Sequence, residues 1–227
     1  IDFPYWKRYK KLLLKSLPYD VVDTLDKSTD KIIDFSGDPQ LKMDTRGLVM
    51  GEVQSGKTAS YTGVICKAAD LGYKVIIVLT TSNEKLRSQT QQRLDKEFVG
   101  YCNVSQLSTI NIPGYLTGEE KRAESRTNIL QDFGKAIKSA TSFNPNAVSE
   151  PYFFVCKKEA NNLNHLIKWL SENLNSEGKN DAPLLLIDDE CDYASVNTKD
   201  PNKDPTRINE KLREILDLFT RSSYIGY

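Results

Sequence analysis

The sequence predicts an α/β protein: a parallel sheet with helices on both faces, preceded by a small helical extension. Three observations carry this prediction. Continuous apolar runs at Lys74–Thr80 (KVIIVLT), Pro151–Cys156 (PYFFVC) and Leu184–Ile187 (LLLI) read as strands buried on both faces. Segments with apolar residues at helical spacing separate these runs, and strands alternating with helices make a parallel sheet. Two polar motifs, a glycine–lysine loop after one strand and an acidic cluster after another, fall at strand carboxyl ends, where such sheets bind ligands.

Residues 1–45 read as the helical extension, separate from the core. Trp6, Tyr9, Leu12, Leu13 and Leu17 recur at helical spacing amid Lys7, Arg8, Lys10, Lys11 and Lys15, whose charges read as a solvated face. After Pro18 a second helix holds Val21, Val22 and Leu25, and a third holds Ile32, Ile33 and Phe35 before Gly37-Asp38-Pro39. Residues 46–227 form the main lobe. Leu48-Val49-Met50 opens it as a strand, and Lys57 to Leu71 follows as a helix stopped by Gly72. Beyond the KVIIVLT strand, Leu86, Thr90, Leu94 and Phe98 set one helix stripe inward and leave Arg87 and Gln91 on the other faces. Residues 101–118 are irregular with a short strand at Ser108–Ile112, and Glu119–Ala140 reads as a charged helix.

The PYFFVC strand leads into a helix carrying Leu163, Leu166, Ile167, Trp169 and Leu170. Asn173–Ala182 is a polar connector to the LLLI strand, and Tyr193–Asp204 is too polar for core and reads as a loop at the site's edge. Asp204 offers an N-cap with Pro205 at the first helical position. Ile208, Leu212, Ile215, Leu216 and Phe219 give that helix its buried stripe, and Ser223–Tyr227 closes the chain as a strand.

Gly51, Gly56, Lys57 and Thr58 fit the phosphate-loop pattern G-x-x-x-x-G-K-[ST], with Glu52, Val53, Gln54 and Ser55 between the glycines. The flanks are those the chemistry requires, a strand before and a helix after. Backbone N–H groups of the loop and helix start then converge on one spot, where the helix dipole also favours negative charge. Lys57 would reach the β- and γ-phosphates, and the Thr58 hydroxyl would ligate Mg²⁺. A nucleotide hydrolase also needs an acidic metal ligand and a group that orients the attacking water. The LLLI strand runs directly into Asp188-Asp189-Glu190-Cys191-Asp192. The reading adopted gives the magnesium to Asp189 and the water to Glu190. A register shifted back by one, with Asp188 and Asp189 in those roles, is the alternative.

Composition narrows the field further. At 227 residues, 39% apolar and 27% charged, the chain can build a substantial core, and no apolar run approaches the roughly 20 residues of a membrane span. The N-terminal stretch IDFPYWKRYKKLLLKSLP has no small-residue cleavage site and is a poor signal peptide. Cys66, Cys102, Cys156 and Cys191 are widely spaced, which argues against structural zinc and suits a reducing, cytoplasmic setting. The one histidine, His165, falls in a helical pattern and reads as a surface residue. A formal net charge of zero counts against a protein that simply coats nucleic acid, though a motor grips the backbone through few contacts.

The motifs resemble those of a known family. Asp189-Glu190-Cys191-Asp192 is similar to the D-E-x-D motif of superfamily-two helicase-like ATPases, and Lys74–Arg93 to the segment that follows their phosphate loop. RGLVMGEVQSGKTASYTGVICKAADLGYK, LRSQTQQRLD and LLLIDDECDYASVNT resemble the Z-one domain family of bacterial ATPases, as do WKRYKKLLL and STDKII near the N-terminus. The resemblance covers nearly the whole chain. It implies a RecA-like lobe that binds and hydrolyses ATP with Mg²⁺, as part of a helicase-like motor acting on DNA beside restriction or other phage-defence proteins. A nucleotide-dependent switch acting on protein partners is the alternative. The resemblance further implies a second RecA-like lobe carrying an arginine finger, which no residue up to Tyr227 supplies. The expectation is therefore a fragment that binds nucleotide weakly and hydrolyses it barely above background.

Overall fold

In a computed structural model the described residues are 3–50, 56–105, 108–111, 121–135, 142–145, 148–192, 195 and 206–227. In chain order the elements are α1 (Pro4–Leu13), α2 (Tyr19–Phe35), β1 (Met43–Leu48), α3 (Lys57–Leu71), β2 (Val75–Thr80) and α4 (Glu84–Leu94), the last running into a π-helical turn at Asp95–Val99. Then come β3 (Tyr101–Ser105), β4 (Ser108–Asn111), β5 (Glu124–Ser125), β6 (Tyr152–Lys157), α5 (Ala160–Leu170), β7 (Leu184–Asp188), α6 (Arg207–Asp217) and β8 (Arg221–Gly226). Six strands form one parallel sheet in the order β1-β8-β7-β2-β6-β5, and β3 and β4 pair separately as an antiparallel hairpin.

Successive side chains of a strand point to opposite faces, and here each face has its own helices. Ile76 and Val78 of β2, Phe153 and Val155 of β6, and Leu185 and Ile187 of β7 face α1, α2 and α3. Their neighbours Val75, Ile77 and Leu79, Phe154, and Leu184 and Leu186 face α5 and α6. All six residues of β2 are buried, as the unbroken apolar run predicts for a central strand covered on both sides. The strand expected from Leu48-Val49-Met50 lies earlier, at Met43–Leu48, and Leu48 and Met50 are exposed.

The N-terminal helices are not set apart from the core. Tyr5, Trp6, Tyr9, Leu13, Val22 and Ile33 are buried in the same cluster as Ile76 and Leu185. The carboxylate of Asp70 on α3 accepts the first free amides of α1, from Tyr5 at 3.0 Å and Trp6 at 2.8 Å, and so caps another helix. Lys67 of α3 is buried, pairs with Asp26 at 2.7 Å and Asp30 at 2.5 Å on α2, and lies 4.4 Å from the Trp6 ring centre. Those pairings also explain why α2 is one helix rather than two. The polar stretch Asp26–Lys31 reads as a break, but Asp26 and Asp30 are the partners that hold α2 onto α3. Gly63 permits the close crossing, because a Cβ there would stand 3.0 Å from Thr29 Cγ2 and 3.2 Å from the Trp6 ring.

Two further expectations are corrected. Arg87 and Gln91 are fully buried while Leu86 is 43% exposed, so α4 turns a polar stripe inward. Residues 121–135 contain no long helix; Glu124–Ser125 instead adds β5 to the sheet beside β6. One cause underlies both. The 124–131 segment presents backbone carbonyls and hydroxyls that need partners, and α4 supplies them. Arg87 donates to the Asn128 carbonyl at 2.9 Å, and Gln91 donates to Ser125 Oγ at 3.2 Å and accepts from Thr127 Oγ1 at 2.7 Å. The cap of α6 is Thr206, whose hydroxyl accepts the Asn209 amide at 3.4 Å; the expected Asp204–Pro205 cap lies outside the described residues.

Candidate functional site

The helix α3 begins with Gly56 at its N-cap, which supplies no side-chain cap. Gly56 precedes it with φ 78°, a left-handed backbone that glycine adopts without steric cost, and it offers no side chain to accept an amide. The first intrahelical bond joins Ser60 N–H to the Gly56 carbonyl at 3.0 Å, so the amides before Ser60 have no intrahelical acceptor. There is no acidic residue in the first turn. Among the described residues, no ion pair involves Lys57. Its side chain, with Gly56, Ser60, Tyr227 and the α2 residues Thr24 and Leu25, lines a cavity of about 440 Å³. Gly51, Glu52, Val53, Gln54 and Ser55, the rest of the phosphate-loop pattern, lie outside the described residues.

The acidic cluster stands at the same end of the sheet, and alternation along β7 separates its members. Asp188 follows the phase of Leu184 and Leu186 and points to the α5–α6 face. There its carboxylate is fully buried, with Oδ1 2.7 Å from the Lys158 ammonium, and Oδ2 accepting the Tyr224 hydroxyl at 2.7 Å. Asp189 falls on the side of α3. The Tyr61 hydroxyl, one helical turn after Thr58 on α3, donates to Asp189 Oδ2 at 3.4 Å. Burial, and next the Glu190 carboxylate, push the Asp189 carboxyl above the usual carboxylate range, while Tyr61, Lys158 and Lys57 pull it back. A cation bound there would favour the ionised form.

Strand β8 sits between β1 and β7, which ends in the acids. At about 4.8 Å per strand spacing, β1 and β7 lie roughly 10 Å apart. The acid turn is fixed on both sides: Asp189 N–H donates to the Leu79 carbonyl at 2.9 Å, and Cys191 N–H to the Tyr227 carbonyl at 3.0 Å. Glu190, between them, has φ 55°, and is the one non-glycine residue with positive φ among the described residues. Its side chain is exposed.

Of the expected site residues, the structure thus brings Gly56, Lys57, Thr58, Asp189 and Glu190 to one end of the sheet. Sequence reasoning missed Tyr61, Ser60, Tyr227 and Lys158. Tyr61 was findable, since it lies four residues after Lys57 on the same helix face. Lys158 was not, because Lys157-Lys158-Glu159 reads as a solvated turn.

The end of β8 is packed too closely for any side chain. A Cβ on Gly226 would stand 2.9 Å from Cys191 Sγ, 3.1 Å from Cys191 Cβ and 3.3 Å from Leu48 Cδ1. Gly226→Ala should therefore cost about 1–3 kcal/mol, the usual range for overpacking, measured by urea denaturation. Adding Cys191→Ala should recover part of the loss; a Gly226→Ala variant as stable as wild type would contradict the packing described. No protein-family model matches the chain, and no curated protein is significantly similar to it.

Proposed function

We propose that the chain is a nucleotide-binding lobe that binds and hydrolyses Mg²⁺·ATP. The observation that carries this is the Tyr61 hydroxyl, which reaches from the first turns of α3, the helix that begins at Lys57 and Thr58, to Asp189 after the end of β7. The donor set suits magnesium. The described residues hold no cluster of three or more metal-ligating side chains, but Mg²⁺ commonly takes one or two carboxylates plus phosphate oxygens and keeps several waters. Thr58 and Asp189 would hold the ion, which when bound supplies charge that stabilises the transferring phosphoryl group. Asp189 is favoured over Asp188 because both Asp188 oxygens are engaged on the far face of the sheet.

Choice of ATP, DNA as the substrate, a second lobe and association with phage-defence proteins rest on the resemblance to the Z-one domain family. Turnover measured with and without duplex and single-stranded DNA tests the DNA-directed reading; turnover indifferent to both would favour a switch acting on proteins. No helix among the described residues is long and apolar enough to cross a membrane.

Lys57→Ala should weaken Mg²⁺·ATP binding by about 1.5–3 kcal/mol, the range for a charge-assisted hydrogen bond. Titration calorimetry on both proteins reads this directly. Equal affinities would remove the phosphate-loop assignment.

A further inference from the structure

Lys158 is fully buried, yet it lies next to the last residue of β6, two strands away from β7. Its backbone amide donates to the Thr80 carbonyl at 3.0 Å, which fixes it against the end of β2. From there the side chain crosses that end to the acid turn. The ammonium lies 2.7 Å from Asp188 Oδ1, a contact of charge rather than a directed hydrogen bond, and donates to the Glu190 carbonyl at 2.6 Å. A buried ion pair by itself is commonly replaceable by apolar residues without loss of stability. The contact to the Glu190 carbonyl is what an apolar pair could not reproduce. Glu190 is also the residue held left-handed, a conformation that an L-residue keeps only where its surroundings over-determine it.

We propose that Lys158 is a positioning residue for the Asp189–Glu190 pair: by tying the Glu190 carbonyl to the buried Asp188 carboxylate, it holds the left-handed turn that aims the Glu190 side chain. This rests on the hydrolytic reading of the site given above. Asp188 is then not a displaced metal ligand but the counter-charge that keeps Lys158 in place, with Tyr224 holding its second oxygen. The D-D-E order acquires a division of labour: the first acid anchors the turn, the second faces the metal and the third faces water.

Lys158→Met alone strands a buried carboxylate and threatens the fold, so the decisive protein is Lys158→Met/Asp188→Asn, which removes both charges together. Its ATP affinity should stay within about threefold of wild type, while single-turnover hydrolysis falls about tenfold or more, since misplacing a reacting group by an ångström can cost of order 10²-fold. A purely structural ion pair predicts that the folded double variant hydrolyses ATP within about threefold of wild type, and that result would overturn the proposal. Amide hydrogen exchange gives a readout free of catalysis and of any variant. The Cys191 amide of the wild-type chain, bonded to the Tyr227 carbonyl, should exchange slowly, and the double variant should release it. Fast exchange of Cys191 in the wild type overturns the proposal even where the double variant does not fold. Absence of ATP binding by a wild type with a protected Cys191 would instead remove the nucleotide reading and leave the hold on the turn intact.

Discussion

Glu190→Gln should slow ATP hydrolysis about 100-fold or more while leaving ATP binding in place, the usual range for a lost general acid–base group. The substitution keeps the side chain's length and its exposed setting. It keeps the backbone contact too, because Lys158 grips the carbonyl and not the carboxylate. What it removes is the group able to accept a proton from an attacking water. Asp189→Asn acts on a different quantity. With one carboxylate facing Tyr61 on α3, its loss should flatten the magnesium dependence of ATP binding, read by titration at varied metal concentration. The pair of variants separates the two registers. Normal turnover by Glu190→Gln, together with a metal defect in Asp188→Asn, would move both roles back by one residue.

The largest effect on stability is expected on the opposite face. Trp169 is fully buried, and its ring lies 4.9 Å from that of Phe143 and 5.6 Å from that of Phe133. The rings of Tyr152 and Phe154 each stand 5.7 Å away. Trp169→Ala empties the middle of this cluster and should cost about 3–5 kcal/mol. For a chain of this length the melting temperature should fall by about 10 °C. Because the ring lies across the sheet from α3, ATP affinity of the folded fraction should hardly change. A loss of affinity with unchanged melting temperature would contradict this separation of faces.

Much of this was legible in the sequence. The strands β2, β6 and β7 are unbroken apolar runs, α3 starts at Lys57 and stops at Gly72 as expected, and the acids directly follow the LLLI strand. The failures share a physical cause. Periodicity treats Arg87 and Gln91 as outward-facing because they are polar, but their burial depends on carbonyls and hydroxyls some 35–40 positions later, at Ser125 to Asn128. The charged stretch around 121–135 reads as a helix for the converse reason. Its residues are good helix formers, but Thr127 spends its hydroxyl on the Val155 amide at 2.8 Å and Arg126 N–H goes to the Phe153 carbonyl, so the backbone follows the sheet. Local pattern reports what a residue can do alone. It is silent on a partner that arrives from elsewhere, and Lys158 is the sharpest instance.

The strand order sets β7 and β1 in different surroundings. The acids hang from β7, which has a hydrogen-bonded strand on either side, and their turn is pinned from β2, β8 and Lys158. β1, among the described residues, has a hydrogen-bonded neighbour on one side only and leaves Leu48 62% exposed. Opening free energies follow such differences in pairing and burial. The end of β1 should therefore open at a lower free energy than the end of β7, a difference that amide hydrogen exchange reads strand by strand.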